Sequence, residues 1–214
     1  MNWNWQGTPV MSQLTRLSLA FIILVLTAIG AEAVESQRFG GGGGTRTKLL
    51  DCGKSALAVG YFGRAGSWID AVGLICRRVK GDGNLGTTFH KSPVGGRDGF
   101  ARDAKCPEGK VLGGSGTYYG SFVHTISVHC FDWNSAALKT SGPVRPPTTR
   151  FGATREYGAA RGNFSCPDNN PIQAMRVKYG SYVDSVKFTC RQVRKPSSSK
   201  RKKKTTTQSR KKTN

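Results

Sequence analysis

The sequence predicts an all-β fold built from one module written three times. Three observations carry that expectation. All six cysteines fall into pairs, Cys52 with Cys76, Cys106 with Cys130 and Cys166 with Cys190, and each pair spans the same 24 residues. Inside every pair stands one five-residue step: Gly66-Ser67-Trp68-Ile69-Asp70, Gly120-Ser121-Phe122-Val123-His124 and Gly180-Ser181-Tyr182-Val183-Asp184. After each step apolar residues alternate: Val72, Leu74, Cys76, then Ile126, Val128, Cys130, then Val186, Phe188, Cys190. A period of 54 and then 60 residues makes the repeat the architectural unit, and alternation is the signature of a half-buried strand.

The chain has 214 residues, room for one or two domains. Leu17 to Gly30 is an apolar run of 14 residues, preceded by Arg16 and followed by Ala31-Glu32-Ala33. Residues 1–33 therefore read as a secretory signal peptide: the run is too short for a span and ends in a small-x-small site. No later run is long enough to cross a bilayer as a helix, so the mature chain is expected to be soluble and secreted, periplasmic or at the cell surface. Export accounts for an even cysteine count in a disulfide framework. Six cysteines allow fifteen pairings, of which one bond inside each repeat is the simplest.

Residues 34–48 form a glycine-rich segment that includes Gly40 to Gly44. Residues 49–193 hold the repeats, at about 49–92, 93–150 and 151–193. In each, a short strand precedes the step: Leu57-Ala58-Val59, Val111-Leu112-Gly113 and the weaker Pro171-Ile172-Gln173. A glycine-containing turn ending at Gly66, Gly120 or Gly180 joins it to the alternating strand. The cysteines then mark the open end of a hairpin, where a cross-strand disulfide fits. The alternate positions, Ala71-Gly73-Ile75, Thr125-Ser127-His129 and Ser185-Lys187-Thr189, are mostly polar and are assigned to the outer face. Gly113-Gly114-Ser115-Gly116 reads as a turn. No segment has a helical period, and about four strands per repeat give about twelve in all. A lone hairpin is unstable in water, so three copies must share one core. Residues 194–214 contain ten Lys or Arg, no acid and no apolar residue; such a tail cannot bury enough surface to offset its ordering entropy and is expected to be disordered.

These residues resemble a known family. The Gly-x-x-x-Asp step at a strand start, together with Gly40 to Gly44, Gly95-Gly96-Arg97-Asp98-Gly99 and the poorer Gly158-Ala159-Ala160-Arg161-Gly162, is similar to the jacalin-related lectins, and the threefold arrangement is griffithsin-like. The start Cys106-Pro107-Glu108-Gly109 and the paired cysteines look like vitelline membrane outer layer protein. The resemblance covers roughly residues 36 to 193 and implies a β-prism: three four-stranded sheets around a pseudo-threefold axis. It also implies carbohydrate binding at Gly66, Trp68 and Asp70 and at Gly180, Tyr182 and Asp184, with His124 marking a degenerate third site.

The chemistry is compatible with that implication. A carboxylate has about four lone-pair sites and accepts from two neighbouring hydroxyls at once. An aromatic ring offers a flat face to a sugar, and glycine lets backbone N–H groups approach closely. Two or three weak sites on one rigid body bind a multivalent glycan by avidity. The same aspartates equally read as turn caps, and the same aromatics as packing beneath the turn. No catalytic or metal-binding pattern is present: His90, His124 and His129 stand in no catalytic or metal spacing, and no cofactor motif occurs.

The formal net charge is +21. Lys200-Arg201-Lys202-Lys203-Lys204 resembles a nucleic-acid patch; beside an export signal it reads instead as a binder of anionic cell-surface polymers or acidic polysaccharides, with attraction that falls with salt. Asn163-Phe164-Ser165 is a glycosylation sequon if the secretory pathway is eukaryotic. The expected function is an exported lectin-like protein without catalysis. The alternatives are a structural coat or envelope protein, and a cationic binder acting through the tail. Nothing in the sequence sets the oligomeric state.

Overall fold

A computed structural model of the chain describes residues 33–142, 149–153 and 159–197. The leader and Lys200 to Lys204 lie outside the described residues. Among those described there are fourteen strands and one short 3-10 turn, Pro167–Asn169. The strands make three sheets, each centred on one long hairpin. The first sheet runs β6 (Leu85–Gly95), β5 (Ile69–Val79), β4 (Ala56–Ala65), β7 (Phe100–Lys105). The second runs β10 (Lys139–Ser141), β9 (Val123–Asn134), β8 (Lys110–Tyr119), β12 (Ala160–Ser165), with β11 (Arg150–Gly152) also on β9. The third runs β1 (Val34–Glu35), β14 (Val183–Cys190), β13 (Ile172–Tyr179), β3 (Arg46–Asp51), with β2 (Phe39–Gly40) also on β14. All pairings are antiparallel.

The expected hairpins are present, but their first strands are longer than the sequence reading allowed. β4, β8 and β13 run up to the residue before Gly66, Gly120 and Gly180, so the turn is only the Gly-Ser-aromatic step. Gly113 to Gly116 is not a turn; it lies inside β8. Glycine there serves close approach: a Cβ on Gly113 would enter the ring of Phe131, and one on Gly114 would meet the Phe164 carbonyl of β12 at 2.6 Å. Glycine in a strand breaks the apolar alternation and so hides the strand from a periodicity search.

The edge strands exchange between repeats. β7 precedes the second module in sequence but pairs with β4 of the first. β12 precedes the third module and pairs with β8 of the second. β3 precedes the first module and pairs with β13 of the third, which joins the two ends of the domain. The disulfides follow the same exchange. Cys52–Cys76, Cys106–Cys130 and Cys166–Cys190 form as the symmetric pattern has them, with Cα–Cα distances of 5.6, 5.6 and 5.7 Å. They do not clamp a hairpin's open end. The N–H groups of Cys52, Cys106 and Cys166 donate to Gln173, Val59 and Gly113, which belong to the preceding sheet. Each bond therefore lies within a repeat in sequence and ties two sheets together in space.

The predicted inner faces are buried: Val72, Leu74, Ile126, Val128, Val186 and Phe188 are at most 1 % exposed. They meet Phe39, Tyr61, Phe151 and Met175 in one axial core. The alternate face is not open as expected. Ile75, Thr125, Ser127, His129, Ser185 and Thr189 are also buried, and Lys187 is half-buried. These residues sit on the central strands of their sheets, and Ile75 joins a second apolar cluster with Leu57, Val59, Val79, Val111 and Val193.

Phe39 shows how the 34–48 segment takes part. It is fully buried, 5.9 Å from the Tyr119 ring and 6.0 Å from that of Phe188. Phe39→Ala is expected to destabilise by about 3–5 kcal/mol, and the paired change Cys52→Ser with Cys76→Ser by about 3 kcal/mol. Urea unfolding measures both; losses well below 1 kcal/mol would show that this segment and this clamp stand outside the cooperative unit.

Candidate functional site

The three turns are near-identical in backbone. The N–H of Gly66 donates to the Trp68 carbonyl at 2.9 Å, Gly120 to Phe122 at 2.9 Å and Gly180 to Tyr182 at 3.0 Å. A loop from the adjoining ribbon closes on each: the N–H of Gly96 donates to the Asp70 carbonyl at 2.7 Å, Gly41 to Asp184 at 3.0 Å and Ala153 to His124 at 2.9 Å. The residue before each donor, Gly95, Gly40 or Gly152, has φ of 134°, 117° or 122°, a region that L side chains rarely adopt. The glycine stretches thus divide between the aspartates. Residues 95–99 serve Asp70 and residues 40–44 serve Asp184. Gly158 lies outside the described residues, and Ala160 to Gly162 belong to β12 rather than to a loop.

Asp70 and Asp184 are each 3 % exposed. Their carboxylates lie between the turn and the glycine loop. A Cβ on Gly99 would run into Oδ2 of Asp70, and one on Gly44 would meet Oδ2 of Asp184 at 2.5 Å. In both aspartates Oδ2 is buried and has no hydrogen-bond partner. Burial pushes both carboxyls above the ordinary aspartate value of 3.8; the N–H groups of Gly66 and Gly180 hold them back, and Asp98 pushes Asp70 further up.

Two cations that sequence reading missed brace the loops. Arg64 donates from Nε to the Asp98 carbonyl at 2.9 Å and from Nη2 to that of Gly99 at 2.6 Å. Lys178 donates from Nζ to the Gly42 carbonyl at 2.6 Å. Both stand two residues before the module glycine, where the middle copy has Tyr118. That coincidence, a cation wherever the aspartate is present, was available in the sequence. Tyr118 instead lies 5.5 Å from the guanidinium groups of both Arg150 and Arg161, and half-buried His124 takes the aspartate's position.

The three aromatics meet one another. Trp68 and Tyr182 are 5.2 Å apart between centroids, Phe122 and Tyr182 5.1 Å, and Trp68 and Phe122 5.6 Å. The turns therefore converge on a shared aromatic cap, with His124 at 6.4 Å from Trp68 and Trp68 itself 36 % exposed. Among the described residues, no helix is long and apolar enough to cross a membrane.

The raised carboxyl pKa values have a sign that can be tested. A carboxyl that protonates more readily folded than unfolded stabilises the fold below pH 3.8, and that contribution is lost as pH rises through the folded pKa. The double change Asp70→Asn with Asp184→Asn should therefore raise the melting temperature at pH 7. The gain should shrink toward zero below pH 3.8. Thermal melts at the two pH values decide; an unchanged or lowered melting temperature at pH 7 would contradict the burial reading.

No protein-family model matches the sequence, and no curated protein does. Solved structures do match. A Malaysian banana lectin aligns at 16 % identity and TM-score 0.50, over 74 % of this chain and 98 % of its own. A mannose-binding lectin from champedak aligns at 15 % and 0.50, over 76 % and 99 %. A prostate-specific glycoprotein lectin aligns at 13 % and 0.51, over 75 % and 100 %. Three hairpin-centred sheets joined by exchanged edge strands, matched over nearly the whole length of each of these lectins, give this chain the β-prism fold of the jacalin-related lectins.

Proposed function

We propose that the protein is an exported, non-catalytic carbohydrate-binding protein with two sites, at Asp70 and Asp184. The observation that carries this reading is the pair of carboxylates, each with a buried oxygen that no protein group satisfies. A buried acceptor left without a donor costs about 1–3 kcal/mol. Among the described residues these are the two carboxylates that bear that cost, and in both a glycine loop covers the carboxylate. A sugar hydroxyl is the missing donor. Reaching it takes a small outward shift of a loop with few side chains to displace at the contact, and the loop's N–H groups then face the ligand. Lectins of the same fold, among them the mannose-binding lectin from champedak, support the class of ligand. The exposed part of Trp68 supplies an apolar face near the Asp70 turn. The leader, the disulfides and the absence of unpaired cysteine fit export.

A glycan array at low and moderate salt, with wild type, each single Asp→Asn variant and the double variant, tests this. Loss of one site should lower apparent affinity for multivalent glycans by roughly 10²-fold or more, and the double variant should not bind, while its melting temperature is not lowered. Binding should also weaken on acidification above pH 3.8, because protonation removes the acceptor. Undiminished binding by the double variant would overturn the proposal. Binding that vanishes with salt alone would instead assign it to the tail at Lys200 to Lys204, and self-assembly indifferent to sugar would favour a coat protein.

A further inference from the structure

The outer face of the third sheet gathers cations. A hollow of about 170 Å³ there is lined by Arg38, Arg176, Lys178 and Lys187, together with the hydroxyl residues Thr47 and Ser185. Among the described residues no acidic side chain lines it. The register fixes which way these residues face. Arg176 is opposite Lys187 and Lys178 opposite Ser185, with no shift of register between them, and Lys178 is also opposite Thr47. Residues two apart on a strand share a face. The intervening pair, Val177 with Val186, belongs to the axial core, so Arg176, Lys178, Ser185, Lys187 and Thr47 share the outer face. Arg38 precedes Phe39, which is opposite Val186 and fully buried, and so falls on the outer face too.

Like charges directly opposite each other in a sheet destabilise it. One carboxylate compensates in part. Glu35 takes Arg176 at its Oε1, 3.3 Å away, and Lys187 at its Oε2, 3.8 Å away. Two of the four cations thus already hold an oxyanion of the chain between them. Lys178 donates to the Gly42 carbonyl, and Arg38 is exposed. The fold does not require this charge. At the places of Arg38, Arg176, Lys178 and Lys187 the first copy has Pro93, Phe62, Arg64 and Gly73, and the second has Arg150, Gly116, Tyr118 and Ser127. Phe62 with Gly73 and Gly116 with Ser127 are register pairs like Arg176 with Lys187. The same ladder therefore closes with no cation on that rung.

We propose that the hollow is a binding site for one sulfate or phosphate group. The guanidinium groups of Arg38 and Arg176 offer paired N–H donors that match the oxygens of such a group. The ammonium of Lys187 and the hydroxyls of Thr47 and Ser185 add further donors. The hollow is smaller than the roughly 300 Å³ at which clefts for whole small molecules begin. It takes the anionic group and leaves its carrier outside. Glu35 competes with the ligand for Arg176 and Lys187.

The test is a titration of full-length protein, labelled with nitrogen-15, with sodium sulfate and with sodium phosphate at about 0.15 M chloride. The amide signals of Thr47, Ser185 and Lys187 should move together and saturate. Arg38→Gln with Lys187→Gln should weaken binding about tenfold or more, the scale of one lost charge-assisted hydrogen bond. Glu35→Gln should tighten it, because the competing carboxylate is gone. Signals elsewhere that stay at their wild-type positions show that both variants are folded. A monosaccharide sulfate and the corresponding phosphate identify the source: tighter binding than the inorganic ions points to a sugar-borne group and equal binding to the free ion, and both support the site. Shifts that do not saturate would overturn the proposal. So would binding as tight in the double variant as in wild type, which assigns the anion to the basic tail, and so would weaker binding by Glu35→Gln.

Discussion

Strand exchange is the constraint on which the rest of this structure depends. Each module donates its leading strand to the sheet before it, and the cysteine that follows that strand bonds back to its own hairpin. A module cannot fold alone under this scheme, because a hairpin without its borrowed edge is a marginal structure. The ring closes only when β3, near the start, finds β13, near the end. Three bonds that each span 24 residues thus hold a topology whose contacts span most of the domain. In the chain-entropy picture they limit how far apart the sheets can drift in the unfolded chain.

The same closure brings three turns to one aromatic cap and stations a loop beside each. Those loops come from the ribbon flanking each hairpin, so the distance between turn and loop is set by the ladder hydrogen bonds of a whole sheet. That precision lets a carboxylate sit buried with one oxygen unsatisfied. Arg64 and Lys178 add a brace from the sheet itself. The unsatisfied oxygens cost stability, and the sheets that hold turn and loop together tolerate that loss.

Much of this was legible in the residues. The inner faces at Val72, Ile126 and Val186 followed from period-two alternation, and the disulfide pairs from symmetry. What was hidden was hidden for physical reasons. Gly60, Gly113 and Gly114 lie where another strand or ring presses close, so long strands looked like turns. The outer face of β9 is polar in sequence yet buried: the Thr125 hydroxyl donates to the Ala153 carbonyl at 2.9 Å, and the Ser127 carbonyl accepts from the Ser115 hydroxyl at 3.0 Å. The exchange of edge strands cannot be read locally at all, because each leading strand would suit its own hairpin as well as the preceding one.

An internal repeat also separates what the fold demands from what it merely permits. The turn glycines and the positive-φ residues Gly40, Gly95 and Gly152 are the same in all three copies, and each set meets one backbone requirement. The aspartate is different. The middle turn makes the same Gly120 to Phe122 hydrogen bond, at the same length, with His124 in its place. The turn therefore does not need the carboxylate as a cap. Arg64 and Lys178 vary together with it, giving way to Tyr118 where the aspartate gives way to histidine. A residue that the fold can do without, that is buried at a cost, and that is accompanied by its own brace wherever it occurs is better explained by a ligand than by the architecture.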